Sequence, residues 1–452
     1  SRTPTHNGTK QQPRPRTLSR LERGAYDDTC LPFSPLQTGE GPGVRLLFSP
    51  LTKQISPRCK PLRLHATRPM RIAIDASRAL LPRPTGTERY SLEIIRHLLA
   101  LPQAANHEWL LYLPEPLVPD SALLESSAAD VAITARVLPP TRAWTHRRLG
   151  PAVHRDHPDV LFVPAHVLPL AAPGALPPSV VTVHDLGYLH LPETHTRQQR
   201  LYLDASTRYA VLRATRLIAV SRATAADLRV AYGAEAAQIR VVHEAAPPSA
   251  HVDPAAAAAI AHARGLVRPW ALFMGTLQPR KNLLRVAEAY AALHAAGQAN
   301  FDLVLAGAPG WKSGPLLTAI AALGLGSSIH ITGYLPPHDA AALLHQALFF
   351  CYPSLFEGFG LPVLEAQQAG VPVLTANNSS LPEVAGDAAL LVDPHDVDAI
   401  AAAMLRLSTD EELRARLIAA GHENVKRFSW ETAAAATLAV LEEAAQQNPR
   451  QS

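Results

Sequence analysis

The sequence contains few cysteines, three in 452 residues. Two of them, Cys30 and Cys59, lie within the first 69 residues, and Cys351 belongs to the remainder. Cysteines in this number and placement define no disulfide framework, which is typical of proteins that work in a reducing compartment. We therefore expect a cytoplasmic protein.

Long hydrophobic runs are also lacking, since no apolar stretch approaches the ~20 residues that a membrane-spanning helix needs. The most apolar candidate, residues 160–183, is interrupted by five prolines. Residues 70–452 contain no strongly amphipathic basic helix of the kind that requires a membrane surface. The sequence thus indicates no spanning helix and leaves peripheral contact with a membrane open.

Most of the chain carries no excess of positive charge, although the formal net charge of the whole sequence is +4. Residues 1–69 hold 12 of the 42 basic and 4 of the 38 acidic residues, which leaves 30 basic and 34 acidic residues for the rest. A mildly acidic body lacks the basic footprint of a nucleic-acid-binding protein. We therefore expect no nucleic-acid partner.

Residues 1–69 combine ten prolines with many Arg, Ser, Thr and Gln residues and show no periodicity, which is typical of a disordered tail. Met70 directly precedes the first convincing strand. We hypothesise that the basic, Pro-rich tail is upstream sequence outside the native protein. A loss of activity or solubility after its deletion would contradict this.

From residue 70 onward, β-prone apolar runs alternate with helical patterns. This alternation predicts an α/β fold with parallel, doubly wound sheets, whose ligands bind at the carboxyl ends of the strands. A segment rich in Pro and Ala separates two such series. We expect a first Rossmann-like domain over 70–246, a second over 247–430, and a C-terminal helix and tail over 431–452 whose packing against the first domain is left open.

The most informative stretch is FCYPSLFEGFGLPVLEAQQAGVPVL, residues 350–374. A buried strand leads into a loop that carries Glu357, two glycines follow, and Pro362 opens a short helix that contains Glu365. The amide N–H groups at the start of such a helix suit a phosphate, and carboxylates accept hydrogen bonds from sugar hydroxyls. The stretch therefore indicates a site for a phosphorylated sugar. Taken alone, the two acids are equally compatible with a surface loop and a dipole-stabilised helical turn.

This stretch resembles the family-4 retaining glycosyltransferases, which carry two glutamates separated by seven residues in the same setting. The resemblance extends to the neighbouring positions Gly358, Gly360, Pro362, Ala366 and Gly370. It covers about residues 70–446 and is tightest over 270–394. The resemblance implies a GT-B architecture, in which two Rossmann-like, doubly wound domains face each other across a cleft.

A second motif, GTLQPRKNL, places Arg280 and Lys281 after a strand and beside a helix that opens at Asn282. Two cations at a helix N-terminus would neutralise a diphosphate and stabilise it as it leaves. A solvated basic turn is the alternative. In the family that the chain resembles, the basic residues of this motif hold the donor diphosphate, and this favours the functional interpretation.

The resemblance also implies roles for residues that are individually unremarkable. It places Gly86 at the donor phosphate, His184 at the transferred sugar, and Gly333 with Tyr334 at the nucleotide base, although a turn glycine or a structural histidine would look the same. Ser221 matches a family segment, but an N-cap explains it. The implied catalytic residues are His184, Glu357, Arg280 and Lys281. The implied donor-binding residues are Gly86, Gly275, Arg280, Lys281, Gly333, Tyr334, Gly358, Phe359, Gly360, Leu361 and Glu365.

The implied activity is that of a hexosyltransferase similar to bacterial mannosyltransferases. It would move mannose or glucose from a nucleotide diphosphate sugar, GDP-mannose first and a UDP-sugar second, to a glycan or lipid-linked acceptor with retention of configuration. The resemblance implies no metal and no cofactor, and the DVD sequence at 396–398 is interpreted as a helix cap. A nucleotide-sugar 2-epimerase and a non-catalytic nucleotide-sugar binder are the alternatives. Acceptor identity, linkage and oligomeric state stay open.

Overall fold

The computed structural model describes residues 69–81, 86–118, 121–172, 174–248 and 252–447. These residues belong to one compact unit of the chain. The tail over 1–68, for which disorder is predicted, and residues 82–85 of the loop before Gly86 lie outside the described residues.

The first lobe is built on a sheet of seven parallel strands in the order β3-β2-β1-β4-β5-β6-β7. Its central strands are apolar on both faces and fully buried, which is the pattern of a parallel sheet covered by helices on each side. The strands are β1 (Arg71–Asp75), β2 (Glu108–Leu113), β3 (Ala132–Val137), β4 (Val160–Val163), β5 (Ser179–Val183), β6 (Arg216–Ala219) and β7 (Ile239–Val241).

Helices connect these strands, as the parallel topology requires. Ser221 accepts a hydrogen bond from the backbone of Thr224 and so caps the fifth helix, while Thr196 forms a capping box at the start of the fourth. The helices are α1 (Gly86–Ala100), α2 (Gly150–Asp156), α3 (Gly187–His190), α4 (Arg197–Arg213) and α5 (Arg222–Tyr232).

The second lobe has the same architecture, with six parallel strands in the order β10-β9-β8-β11-β12-β13. The strands are β8 (Trp270–Met274), β9 (Asp302–Ala306), β10 (Ile329–Gly333), β11 (Phe349–Tyr352), β12 (Val373–Ala376) and β13 (Ala389–Val392). Cys351 is fully buried on β11. The expectation of two doubly wound sheets is confirmed.

The helices of the second lobe cover both faces of this sheet. They are α6 (Pro254–Ala263), α7 (Leu283–Ala295), α8 (Ser313–Ala321), α9 (Pro337–His345), α10 (Leu361–Gln368), α11 (Leu381–Ala385), α12 (Val397–Thr409) and α13 (Glu411–Val425). Asp396 accepts a 2.9 Å hydrogen bond from the amide of Ala399 and caps α12, as expected for the DVD sequence. Within the described ranges, every helix is too short or too polar to cross a membrane.

A last helix, α14 (Trp430–Ala445), joins the two lobes. It follows the helices of the second lobe in sequence but packs on α1 and on the β4–β6 region of the first. Glu443 accepts hydrogen bonds from Arg216 at 2.9 Å and from Arg240 at 2.6 Å, which fixes the end of the helix to two strands of the first sheet. The first and last described elements, β1 and α14, therefore lie in the same lobe.

Candidate active site

The centre of the candidate site is a buried cluster of opposite charges at the carboxyl ends of β8 and β11. Lys281 Nζ donates to Glu357 Oε1 at 2.7 Å, and Arg280 Nη1 donates to Glu357 Oε2 at 3.2 Å. Lys281 also donates to the hydroxyl of Tyr352. The structure thus brings together three of the residues implied by the family resemblance, although 76 residues separate Lys281 from Glu357 in sequence.

The local backbone explains how the two cations reach Glu357. Arg280 and Lys281 lie in a 3-10 turn, Pro279–Lys281, and α7 begins after Asn282, slightly later than predicted. Asn282 has a left-handed backbone, and its side chain donates to the carbonyls of Pro353 and Pro394. The basic turn is therefore anchored to the loops after β11 and β13.

The charges of this cluster stabilise one another. Burial alone would raise the pKa of Glu357, but the adjacent Arg280 and Lys281 outweigh it and hold the pKa below its usual value. Burial lowers the pKa of Lys281, and Arg280 adds to this effect while Glu357 opposes it. Glu357 thus holds two cations side by side, and cations of this kind are suited to an incoming diphosphate.

The two lobes meet directly at this cluster. A Cβ atom on Gly358 would lie 1.9 Å from the backbone oxygen of His184, so a glycine is required at this approach. Ser221 Oγ donates to the Gly358 carbonyl at 2.7 Å, which adds an interlobe contact to its capping role. Capping alone, which the sequence suggested for Ser221, is therefore an incomplete account. Arg280 also reaches across, with its Nη1 4.0 Å from Asp185 Oδ2.

His184 is held rigidly at the carboxyl end of β5. Its Nδ1 lies 3.2 Å from Glu244 Oε1 and its Nε2 lies 2.8 Å from the carbonyl of Pro164. Burial lowers the pKa of His184, but Glu244 and the carbonyl outweigh it, so the pKa is raised. Both partners accept hydrogen bonds, and a protonated imidazolium satisfies both. The Tyr90 ring packs edge-on against the imidazole at 4.7 Å.

Glu365 faces the first lobe rather than the Lys281 cluster. Its Oε1 accepts a 2.6 Å hydrogen bond from Arg89 Nη1, and Arg89 lies on α1 three residues after Gly86. Gly86 itself begins α1, and among the described residues no heavy atom lies within 4 Å of the position where a Cβ would stand. The implied donor-binding residue Glu365 and the implied phosphate-binding residue Gly86 are therefore connected through Arg89.

The remaining predicted donor residues fall into two groups. Gly275 and Gly333 lie at the ends of β8 and β10, on either side of Gly307 at the end of β9, which approaches Gly275 closely and donates to the carbonyl of Gly333 at 2.9 Å. Tyr334 follows and is well exposed. In contrast, Phe359 and Leu361 are buried, and Phe359 packs against Phe428 in the interior. Gly360, at φ 123°, precedes α10.

A cavity of about 110 Å³ opens between the lobes beside Arg280. Of the predicted site residues, Arg280 lines it, whereas Lys281, Glu357 and Glu365 do not. Its lining residues are Asp185, Gly187, Thr194, His195, Gln278, Pro279, Arg280 and Trp311. In the described part of the chain, His, Cys, Asp and Glu do not form groups of three or more that could hold a metal ion.

Sequence reasoning missed three residues that the structure adds to the site: Arg89, Glu244 and Tyr352. Glu244 and Tyr352 each lie at or just after the end of a strand, and such positions converge at one edge of a parallel sheet. Arg89 lies in the first turns of a helix that follows a glycine loop. The sequence therefore indicates that these three positions lie near a site, but it does not identify the residues they contact.

Comparison with known structures places this fold in a class. The fold resembles that of HepE from Anabaena, solved with UDP and glucose, with a TM-score of 0.61, 18% identity and coverage of 82% of this chain and 99% of that one. The architecture is GT-B, two parallel-sheet lobes that face each other across a cleft.

Sequence comparison identifies the family. The profile described as Glycosyltransferase Family 4 matches residues 84–250, and that described as Glycosyl transferases group 1 matches residues 262–424. The O-antigen chain mannosyltransferase B of Escherichia coli is 31% identical over 367 residues, which are 78% of this chain and 95% of that protein. The MMP alpha-(1->4)-mannosyltransferase of Mycolicibacterium hassiacum is 39% identical over 37% of this chain and 41% of its own length. The chain belongs to glycosyltransferase family 4, and the protein is a glycosyltransferase.

Proposed function

We propose that the protein transfers a hexose, mannose in the first place, from a nucleotide diphosphate sugar to an acceptor hydroxyl with retention of configuration. The observation that carries this proposal is the convergence of Arg280 and Lys281 on Glu357 at the strand ends of the second lobe, opposite His184 of the first. The two cations that would bind a diphosphate therefore directly contact the carboxylate that would bind sugar hydroxyls.

In the proposed reaction, the bond between the anomeric carbon and the diphosphate oxygen breaks, and its electron pair stays on the diphosphate. The acceptor oxygen bonds to the anomeric carbon on the same face, and its proton passes to the leaving phosphate oxygen. Arg280 and Lys281 would stabilise the negative charge that develops on the diphosphate. Glu357 would hold the hydroxyls of the sugar, and Glu365 those of the ribose.

The donor is proposed from the named relatives. Two of them are mannosyltransferases, which supports a mannose donor such as GDP-mannose. A solved structure of HepE contains UDP-glucose, which keeps a UDP-sugar as the second candidate. The O-antigen relative supports an acceptor that is a growing glycan, free or lipid-linked.

We further propose that transfer needs no bound metal, because two side-chain cations, Arg280 and Lys281, supply positive charge at the diphosphate position. Turnover that is unchanged by EDTA is the expected result. Turnover that EDTA abolishes and Mg²⁺ or Mn²⁺ restores would overturn this part of the proposal.

The test of the function is a thermal-shift panel of nucleotide sugars followed by product analysis. A ligand present at 100 times its dissociation constant stabilises the fold by about 2.7 kcal/mol, which a melting curve resolves. The stabilising donor is then incubated with mannose-terminated glycans. A retained glycosidic product and a free nucleoside diphosphate support the proposal. An epimerised sugar formed without acceptor, or binding without turnover, contradicts it.

A further inference from the structure

The cavity beside Arg280 has walls from both lobes. Asp185, Thr194 and His195 belong to the first lobe, and Gln278 and Trp311 belong to the second. Its volume of about 110 Å³ is well below the roughly 300 Å³ at which sites for drug-sized ligands begin. The cavity therefore suits one small ring and not a whole nucleotide sugar.

Trp311 is an exposed aromatic side chain on a loop whose neighbouring residues contact both lobes. The amide of Gly310 donates to the carbonyl of Leu277 at 2.9 Å, and a Cβ on Gly310 would lie 2.5 Å from the side chain of Thr276. The next residue, Lys312, donates to the carbonyl of Glu193 in the first lobe at 2.7 Å. Trp311 is nevertheless 48% exposed. The residues on both sides of Trp311 are thus held, and its indole ring presents a large aromatic surface to solvent beside the cavity.

Polar groups surround this aromatic surface. Gln278 lines the same cavity, and its side-chain amide carries both a donor and an acceptor. Burial raises the pKa of the Asp185 carboxyl, but Arg280 and the Gly187 amide outweigh it, so the pKa is lowered and the group accepts hydrogen bonds at neutral pH. An aromatic face bordered by an amide and a carboxylate matches the apolar face and equatorial hydroxyls of a pyranose.

We propose that this cavity binds a pyranose ring of the acceptor, with Trp311 as its stacking platform and Gln278 and Asp185 as hydroxyl partners. The inference rests on the proposed function and specifies the acceptor as a glycan. Arg280 joins the cavity to the donor site, because its Nη1 lies 3.2 Å from Glu357 Oε2 and 4.0 Å from Asp185 Oδ2. A ring held here lies beside the donor diphosphate without occupying the Glu357 position.

The experiment is saturation-transfer NMR with methyl α-mannopyranoside and methyl α-glucopyranoside in the presence of excess GDP or UDP. The proteins are the wild type, Trp311→Ala, Trp311→Phe and the matched control Tyr202→Ala, which removes an equally exposed aromatic side chain (52%) from α4. Binding of a pyranoside is expected to be roughly twofold to tenfold weaker in Trp311→Ala, the size of one aromatic contact. Trp311→Phe and Tyr202→Ala are expected to keep it.

A thermal-shift arm with GDP and UDP accompanies each variant. Equal stabilisation of all four proteins by the nucleotide, together with loss of pyranoside binding in Trp311→Ala alone, supports the proposal. Unchanged pyranoside binding in Trp311→Ala, or an equal loss in Tyr202→Ala, overturns it. Loss of nucleotide binding in Trp311→Ala also overturns it, since the cavity would then belong to the donor. A wild type that no nucleotide sugar stabilises counts against the proposed function, whereas the pyranoside arm still reports on the cavity.

Discussion

Arg89 of the first lobe donates a 2.6 Å hydrogen bond to Glu365 of the second, across 276 residues of sequence. Glu365 is the carboxylate proposed to hold the donor ribose. An arginine of the opposite lobe therefore contacts one of the carboxylate oxygens that the proposed donor would use. The contact joins the two lobes and, under the proposed function, would compete with the donor.

Replacement of Arg89 by Ala is expected to tighten donor binding modestly. The side chain of Arg89 is 41% exposed, and pairs of this kind contribute up to about 1 kcal/mol, so the gain is at most about fivefold in the dissociation constant. Calorimetric titration with the donor nucleotide measures it. Arg96→Ala on the same helix is the matched control, because Arg96 pairs with Glu93 and Glu125 instead. Weaker binding in Arg89→Ala would show that Arg89 contacts the donor itself.

Replacement of Lys281 by Ala is expected to lower kcat by roughly 10²–10³-fold, since a lost charge-stabilising donor costs about 2.7–4 kcal/mol in the transition state. Initial rates of nucleoside diphosphate release measure the change. Lys426→Ala removes a lysine that pairs with Glu423 at the surface and should leave kcat unchanged. Activity of Lys281→Ala within about threefold of wild type would refute the role given to Lys281.

Replacement of Gly358 by Ala is expected to abolish transfer while each lobe stays folded. The new Cβ would lie 1.9 Å from the His184 backbone oxygen, which prevents the lobes from meeting as they do here. Small-angle scattering should report a larger radius of gyration, and the activity assay a loss. Gly314→Ala is the control, since open space surrounds that position on α8. A fully active Gly358→Ala protein would argue against closure at this contact.

His166 is expected to make stability depend on pH. Burial and the nearby His184 lower the pKa of His166 to about 4, from 6.5 in the unfolded chain. Between these values the unfolded state binds the proton that the folded state excludes. Above pH 6.5, the neutral His166 therefore makes its full contribution to the free energy of unfolding. This contribution falls by up to about 3 kcal/mol as the pH decreases to 4.

Urea unfolding at several pH values tests this dependence. Asparagine suits the left-handed backbone of this position, which has φ 73°. His166→Asn should therefore reduce the slope of the unfolding free energy against pH between pH 4 and 6.5. The exposed His338→Asn should leave the slope as in wild type. An unchanged slope in His166→Asn would assign the pH dependence to other groups.

The sequence by itself determined the local features of this protein. Alternating apolar runs and helical patterns predicted two series of strands and helices with parallel sheets, because such patterns depend on neighbouring side chains, as do caps such as Ser221 and Asp396. The position of Arg280, Lys281 and Glu357 after strands also followed, since parallel strands present their carboxyl ends at one edge.

Tertiary structure alone decided which of these groups meet. The pairing of Arg89 with Glu365, the approach of Gly358 to His184, and the second role of Ser221 all join residues more than a hundred positions apart. Such contacts depend on how the two lobes pack against each other, and no local sequence pattern determines that packing. Phe359 shows the converse, because the loop turns this residue of the central motif into the interior, where it packs against Phe428.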